Sequence, residues 1–183
     1  CQLAMVLSAA ELIFERQSAL SVRDVILPQA LILPDNGDNG GTRTVQAVFS
    51  ANRTNGHVDT YDVKLISFAI DAQGEESDLA THTTGEVAAL ATAQKEIIDL
   101  AELRQRCNQA VDVAAFYAAS AQAQIELGPS FCWLAELWQG QDGAQAEALA
   151  RLVLPEAVGA PTGYLLHPGL LDGCFQTANT AGT

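Results

Sequence analysis

From residue 3 to residue 14 the chain is apolar on almost every helical face, the pattern of a helix buried on all sides rather than one lying on a surface. A sheet must therefore wrap it. Strands are expected at 22–33, 44–51, 60–70 and 79–90, the third alternating Tyr61, Val63 and Leu65 against Asp62 and Lys64. Turn signals at 35–41, 52–56 and 71–76 separate them, as antiparallel strands following one another require. An Ala- and Glu-containing stretch at 91–108 reads as a connecting helix and 110–123 as a second one. Strands resume at 131–139 and 145–154, and a further helix starts near Pro168. The order of helix, strands, linker, strands and helix is that of two α+β units, each with a sheet around a central helix.

Composition narrows the class. A chain of 183 residues with 49% hydrophobic and 17% charged residues can bury a real core and is not disordered. No apolar stretch has the length of a membrane span, and the opening CQLAMVLSAAELIFERQ has no basic n-region, so a soluble, cytoplasmic protein is expected. Nine basic against 22 acidic residues, a net −13, argue against nucleic acid and an anionic membrane as partners. Cys1, Cys107, Cys132 and Cys174 show no C-x-x-C spacing and read as small buried hydrophobes in a reducing compartment. His57, His82 and His167 are not at metal-ligand spacing on one element, and no metal is expected. The run Asp35 to Gly41 lacks two ligands of a calcium loop and is better read as a hairpin turn.

Candidate chemistry concentrates in His167-Pro168-Gly169-Leu170-Leu171-Asp172-Gly173-Cys174-Phe175-Gln176. Pro168 suits the first position of a helix, and the apolar residues around Asp172 set one carboxylate into an otherwise greasy helix start. Gln176 lies one turn further on the same face, where its amide can hydrogen-bond the carboxyl and hold it. On helix physics alone, the better reading of Asp172 is an acidic residue that merely favours the dipole of the helix start.

HPGLLDGCFQ resembles the HPxLLDxxxQ motif of the dehydratase domains of modular polyketide synthases, and other segments follow in that family's order. VRDVILPQALILP at 22–34 is similar to its strand after the first central helix, and ATHTTGEV at 80–87 to its H-x-x-G-x-v strand. Arg104, Arg106, Cys107 and Phe116-Tyr117 resemble its R-x-R-C and F-Y signposts. Gly128-Pro129-Ser130-Phe131 resembles its Y-G-P-x-F turn, and Leu149 to Pro155 the strand before the HP motif.

The resemblance implies a double hot dog, an α+β fold in which antiparallel sheets each wrap a central helix. It sets 1–90 as the N-terminal hot-dog part, 91–123 as a helical linker and 124–183 as the start of the C-terminal hot dog, incomplete at both ends. It also implies dehydration of a β-hydroxyacyl thioester to the α,β-enoyl thioester during polyketide elongation, a hydro-lyase reaction. No cofactor is needed; the substrate rides on the phosphopantetheine of an acyl carrier protein, for which Arg151, Arg104 and Lys95 are the available basic spots. Further implied partners are neighbouring synthase domains and a second copy within a dimeric megasynthase.

By the same resemblance Asp172 is the general acid, Gln176 its orienting partner and His167 a supporting residue that shapes the helix start, while Leu127, Gly128, Pro129, Phe131 and Leu171 line the substrate pocket. The family's second catalytic residue, a histidine in H-x-x-x-G-x-x-x-x-P ahead of the first central helix, is expected before residue 1. For Asp172 to stay protonated, desolvation by Leu170, Leu171 and Phe175 must outweigh a helix dipole that favours the carboxylate in the first turn. Leu127 stands where the family usually has Tyr, which predicts a drier pocket without that donor. That departure opens the alternatives of a pyran-forming cyclase or double-bond isomerase on the same substrates, beside a non-catalytic structural domain. A thioesterase-like hot dog would share the fold but leaves the HP motif unexplained.

Overall fold

A computed structural model describes residues 1–14, 19–32, 43–54, 57–70, 74–90 and 97–181. The expected turn at 35–41 and Lys95 lie outside the described residues. Contacts divide the chain into two units, Cys1–Gln94 and Lys95–Thr183.

The first unit packs one helix, α1 (Gln2–Ala10), on a four-stranded antiparallel sheet of β1 (Ala19–Ile26), β2 (Arg43–Thr54), β3 (His57–Ile70) and β4 (Glu76–Leu90). Alternation decides which face is apolar. Val63 and Leu65 of β3 and Val87 of β4 are fully buried beside Val6 and Ala10 of α1, and Leu20, Val22, Val45, Ala47 and Phe49 extend the same face to the edge strands. Burying each such Val or Leu contributes about 1.5–3 kcal/mol, so this face holds the unit together. Asp62 and Lys64 point outward, as their alternation requires.

Three expectations are corrected here. The strand order is β1-β4-β3-β2, so β1 pairs with β4 and not with its neighbour in sequence. The long connection from Ile26 to Arg43 releases β1 to the far edge, whereas the β2–β3–β4 connections are short enough to force hairpin pairing. The first strand also ends at Ile26, not 33: Pro28 supplies no N–H for a ladder, and Leu27 and Ile32 are exposed. Helix α1 is buried on one face only. Ala4, Val6 and Ala10 meet the sheet, Met5 is exposed, and Leu12 and Ile13 fall beyond the helix end, because a single curved sheet covers one side of a cylinder.

Within the H-x-x-G-x-v strand, Gly85 sits opposite Val63, and a Cβ there would meet the Arg23 carbonyl at 3.1 Å, where β1 bulges with Asp24 at φ 52°. The glycine leaves room for that bulge. His82 is buried and its Nε2 lies 2.6 Å from Ser67 Oγ, which accepts from Arg43 Nε at 2.9 Å. The imidazole is thus part of a cross-strand network through β2, β3 and β4.

The second unit runs α2 (Leu100–Arg106), β5 (Gln109–Val111), α3 (Val113–Gln122), a 3₁₀ turn (Pro129–Phe131), β6 (Leu134–Asp142), β7 (Gln145–Leu152) and α4 (Pro168–Thr180). Asp99 and Asp112 start α2 and α3 by accepting from backbone N–H groups at 2.8–3.2 Å, which fixes both starts later than helical composition alone suggests. The expected helical linker is thus interrupted by β5, which pairs with β6 in a three-stranded sheet of order β5-β6-β7. A two-residue turn with Gly143 at φ 60° closes the β6–β7 hairpin. Helix α4 lies on β6 and β7, with Gly173 against Leu152 and Trp133.

The R-x-R-C segment is a tether. Arg106 donates from Nε to Glu147 Oε2 at 2.7 Å and from Nη2 to Oε1 at 2.9 Å, and also meets Glu102 at 3.0 Å. Arg104 stacks over Trp138 at 5.7 Å. Among the cysteines only Cys107 is buried, and burial pushes its thiol up; Cys132 is half-buried, while Cys1 and Cys174 are exposed, so reading all four as buried hydrophobes is corrected. Cys174 faces outward because the buried face of α4 is taken by Gly169, Gly173 and Gln176.

The Arg106 hydrogen bond holds Glu147 below the ordinary carboxylate range. A lowered folded-state value means that this contribution is complete above the ordinary range and is lost as pH falls through the lowered one. Glu147→Gln is therefore expected to flatten the acid side of a plot of thermal midpoint against pH; an unchanged slope would refute the tether. Among the described residues no helix is long and apolar enough to cross a membrane.

Candidate active site

The start of α4 is set by His167 and Gly169. His167 is the N-cap, its Nδ1 accepting from the Gly169 N–H at 3.1 Å, with Pro168 in the first turn. The imidazole packs against Trp133 and Tyr164, with ring centroids 5.2 and 4.9 Å away. A Cβ on Gly169 would collide with the Trp133 indole nitrogen and the Ser130 carbonyl, which are themselves hydrogen-bonded at 2.9 Å. Only glycine lets the helix start rest on the Gly-Pro-Ser-Phe turn. His167→Ala is expected to cost about 1 kcal/mol, the worth of an N-cap, with His167→Asn retaining most of it in urea unfolding.

Asp172 is the fifth helical residue, beyond the first turn, and half-buried. The macrodipole falls off within that turn, so the expected opposition between dipole and desolvation is corrected. Phe175 is 49% exposed, which leaves the half-buried Leu170 and Leu171 as the apolar residues beside the carboxyl along the helix.

Gln176 is buried and donates from Nε2 to Asp172 Oδ2 at 2.6 Å, as the one-turn spacing predicts. The same nitrogen lies 3.3 Å from the Phe131 carbonyl. Its Oε1 accepts from the Tyr117 hydroxyl at 3.2 Å, and that hydroxyl accepts from the Leu134 N–H at 3.1 Å. Burial pushes the Tyr117 phenol up, keeping it a neutral donor. Tyr117 has no place among the site residues expected from sequence. The F-Y signpost marks its position, but its partner is 59 residues away.

Leu127 is set apart from the other expected pocket residues. Leu127 lines a cavity of about 230 Å³ with Tyr117, Ser120, Ile125 and Cys132. Gly128, Pro129 and Phe131 form the turn beneath α4, Phe131 contributing its carbonyl, and Leu171 lies on α4 apart from that cavity. Tyr117 and Ser120 also reach the wall of this cavity from α3, their hydroxyl protons given to Gln176 Oε1 and to the Phe116 carbonyl. A larger groove of about 650 Å³, lined by Arg106, Gln139 and Glu147 among others, holds none of the expected site residues. Arg104 and Arg151 flank another groove over Trp138 and Leu149, with Arg151 paired to Glu136 at 2.8 Å.

Residues 97–183, which carry all of this geometry, match the family model of the polyketide synthase dehydratase N-terminal domain. By that match the second unit is of the polyketide synthase dehydratase family. The fold of the chain is that of the family's solved structures. The dehydratase domain from the CurJ module of curacin polyketide synthase is 32% identical with a TM-score of 0.77, over 100% of this chain and 57% of that one. The domain from the CurF module is 28% identical with a TM-score of 0.81, over 98% and 60%. Phthioceranic/hydroxyphthioceranic acid synthase of Mycobacterium tuberculosis is 29% identical over 178 residues, 94% of this chain and 7% of the synthase. The chain thus spans 57–60% of those two domains and 7% of the synthase. Sheet and central helix recur in each unit, as the hot-dog architecture of the family requires.

Proposed function

We propose that the chain is part of a hydro-lyase that removes water from a β-hydroxyacyl thioester to give the α,β-enoyl thioester in polyketide elongation. One observation carries this reading: a half-buried carboxyl on α4, one oxygen of which is held by Gln176 at 2.6 Å, so that the other is left for proton transfer. In the proposed step the Cα–H proton goes to a base, the electron pair forms the Cα–Cβ double bond, and the Cβ–O bond breaks as Asp172 gives its proton to the departing hydroxyl. The products are water and the enoyl thioester; Asp172 ends as a carboxylate and recovers its proton from the protonated base through solvent. Electrons are only redistributed within the substrate, so the step calls for no cofactor.

The base is assigned to the histidine that the family motif sets ahead of the first central helix. His167 is engaged as a helix cap and His82 in the network with Ser67 and Arg43. Solved structures of the CurK dehydratase of the curacin synthase include an inactive mutant with aspartate replaced by asparagine and another with histidine replaced by phenylalanine, in keeping with one acid and one base. The substrate is proposed to arrive on the phosphopantetheine of an acyl carrier protein, with neighbouring synthase domains and a second copy as standing partners in the cytoplasm. The test is conversion of a β-hydroxyacyl carrier protein to its enoyl form by the full-length protein, with Asp172→Asn as the decisive variant.

A further inference from the structure

We propose that Tyr117 is a positioning residue that fixes which way round the Gln176 amide lies, and so which oxygen of Asp172 carries the catalytic proton; this rests on Asp172 acting as the acid.

A primary amide can face a carboxyl with either end, and the two faces do opposite things. Its N–H favours the carboxylate, whereas its oxygen would accept from the protonated acid. Two contacts choose between them. The Leu134 N–H can only donate, so at 3.1 Å it occupies a lone pair of the Tyr117 hydroxyl and helps aim the phenolic proton at Gln176 Oε1, 3.2 Å away. The Phe131 carbonyl can only accept, and at 3.3 Å it faces Nε2. An amide turned end for end would set its oxygen against the Phe131 carbonyl and strand the phenolic proton. Gln176 is 8% exposed, which leaves little room for water to make up for either loss.

The donors therefore run one way, from the Leu134 amide through the Tyr117 hydroxyl and the Gln176 amide to Asp172 Oδ2. Oδ2 takes an N–H in both protonation states, and the transferable proton sits on Oδ1. When Asp172 gives that proton away, the charge left behind is met by an N–H already in place, so no group has to turn during the step. The Tyr117 hydroxyl has its proton committed and a lone pair occupied, so its removal touches the acid rather than substrate binding.

In the full-length protein, Tyr117→Phe is expected to lower kcat about tenfold with KM unchanged, and Tyr117→Phe/Gln176→Ala to be no slower than Gln176→Ala, because residues acting as one unit are not additive. A residue that only packs would move the thermal midpoint and leave kcat per folded molecule alone. Gln176→Glu is a second variant that leaves Tyr117 untouched. Its carboxylate still accepts from the phenol but sends no N–H to Oδ2, so kcat is expected to fall as far as in Gln176→Ala. Additive losses, an unchanged kcat in Tyr117→Phe or full turnover by Gln176→Glu, with Asp172→Asn inactive, would overturn this inference alone. Turnover that survives Asp172→Asn would remove Asp172 as the acid and this inference with it, whereas no turnover by the native full-length protein would overturn the dehydratase reading.

Discussion

Full-length protein carrying Asp172→Asn is expected to dehydrate a β-hydroxyacyl carrier protein about 10²–10⁴ times more slowly than the native form, the range that a positioned general acid contributes. The substitution isolates the proton. Asparagine has the size of aspartate, and its carbonyl can still accept from Gln176 Nε2, the bond seen at 2.6 Å, so the packing of α4 on its turn is expected to survive. What it lacks is an O–H to give to the departing hydroxyl. The loss should fall on kcat rather than KM, since the hydroxyl needs that proton most as the C–O bond breaks. Single-turnover mass spectrometry of the carrier-bound acyl group reads the effect directly, and equal rates would remove Asp172 from the mechanism.

Gly140→Ala is expected to be the most destabilising small substitution in the second unit, costing about 3 kcal/mol or more. A Cβ at this position in β6 would fall on the Arg106 carbonyl and the Cys107 Cα. Both are backbone atoms, so no side chain can swing aside. Relief requires the end of α2 to lift from β6, which also strains the Arg106–Glu147 ion pair and exposes Cys107, now 2% exposed. Gly143→Ala serves as the comparison. It has φ 60° but nothing within 4 Å of its missing Cβ, and should cost only about 1 kcal/mol, the conformational term alone. Protease susceptibility and urea midpoint of the full-length variants would rank them; a Gly140→Ala protein as stable as Gly143→Ala would contradict the close approach.

What could be read from the residues was mostly local. The Asp172–Gln176 bond follows from a four-residue spacing on one helix, and the burial of Val63 and Leu65 against exposed Asp62 and Lys64 from alternation on one strand. The HP motif read correctly as a helix start, though its meaning is a cap and a close approach: His167 satisfies the Gly169 N–H, and Gly169 leaves room for Trp133. Position within the helix mattered more than membership of it. Asp172 lies one step past the turn where the dipole acts.

The remaining features are long-range. Nothing near Ile26 in sequence says that β1 will cross to pair with β4, since an edge strand's partner is chosen by which apolar face it completes. Nothing near Tyr117 says that its hydroxyl lies between Leu134 and Gln176. By itself the sequence determined most of the elements, the family resemblance and the Asp172 carboxyl with its neighbouring amide, because periodicity and i, i+4 spacing are properties of one segment. Only the tertiary structure decided the order of strands, the glycine contacts and the direction of the donors around Asp172. Those depend on which backbone groups from distant segments meet, and hydrogen bonds and steric contacts act only over a few ångströms.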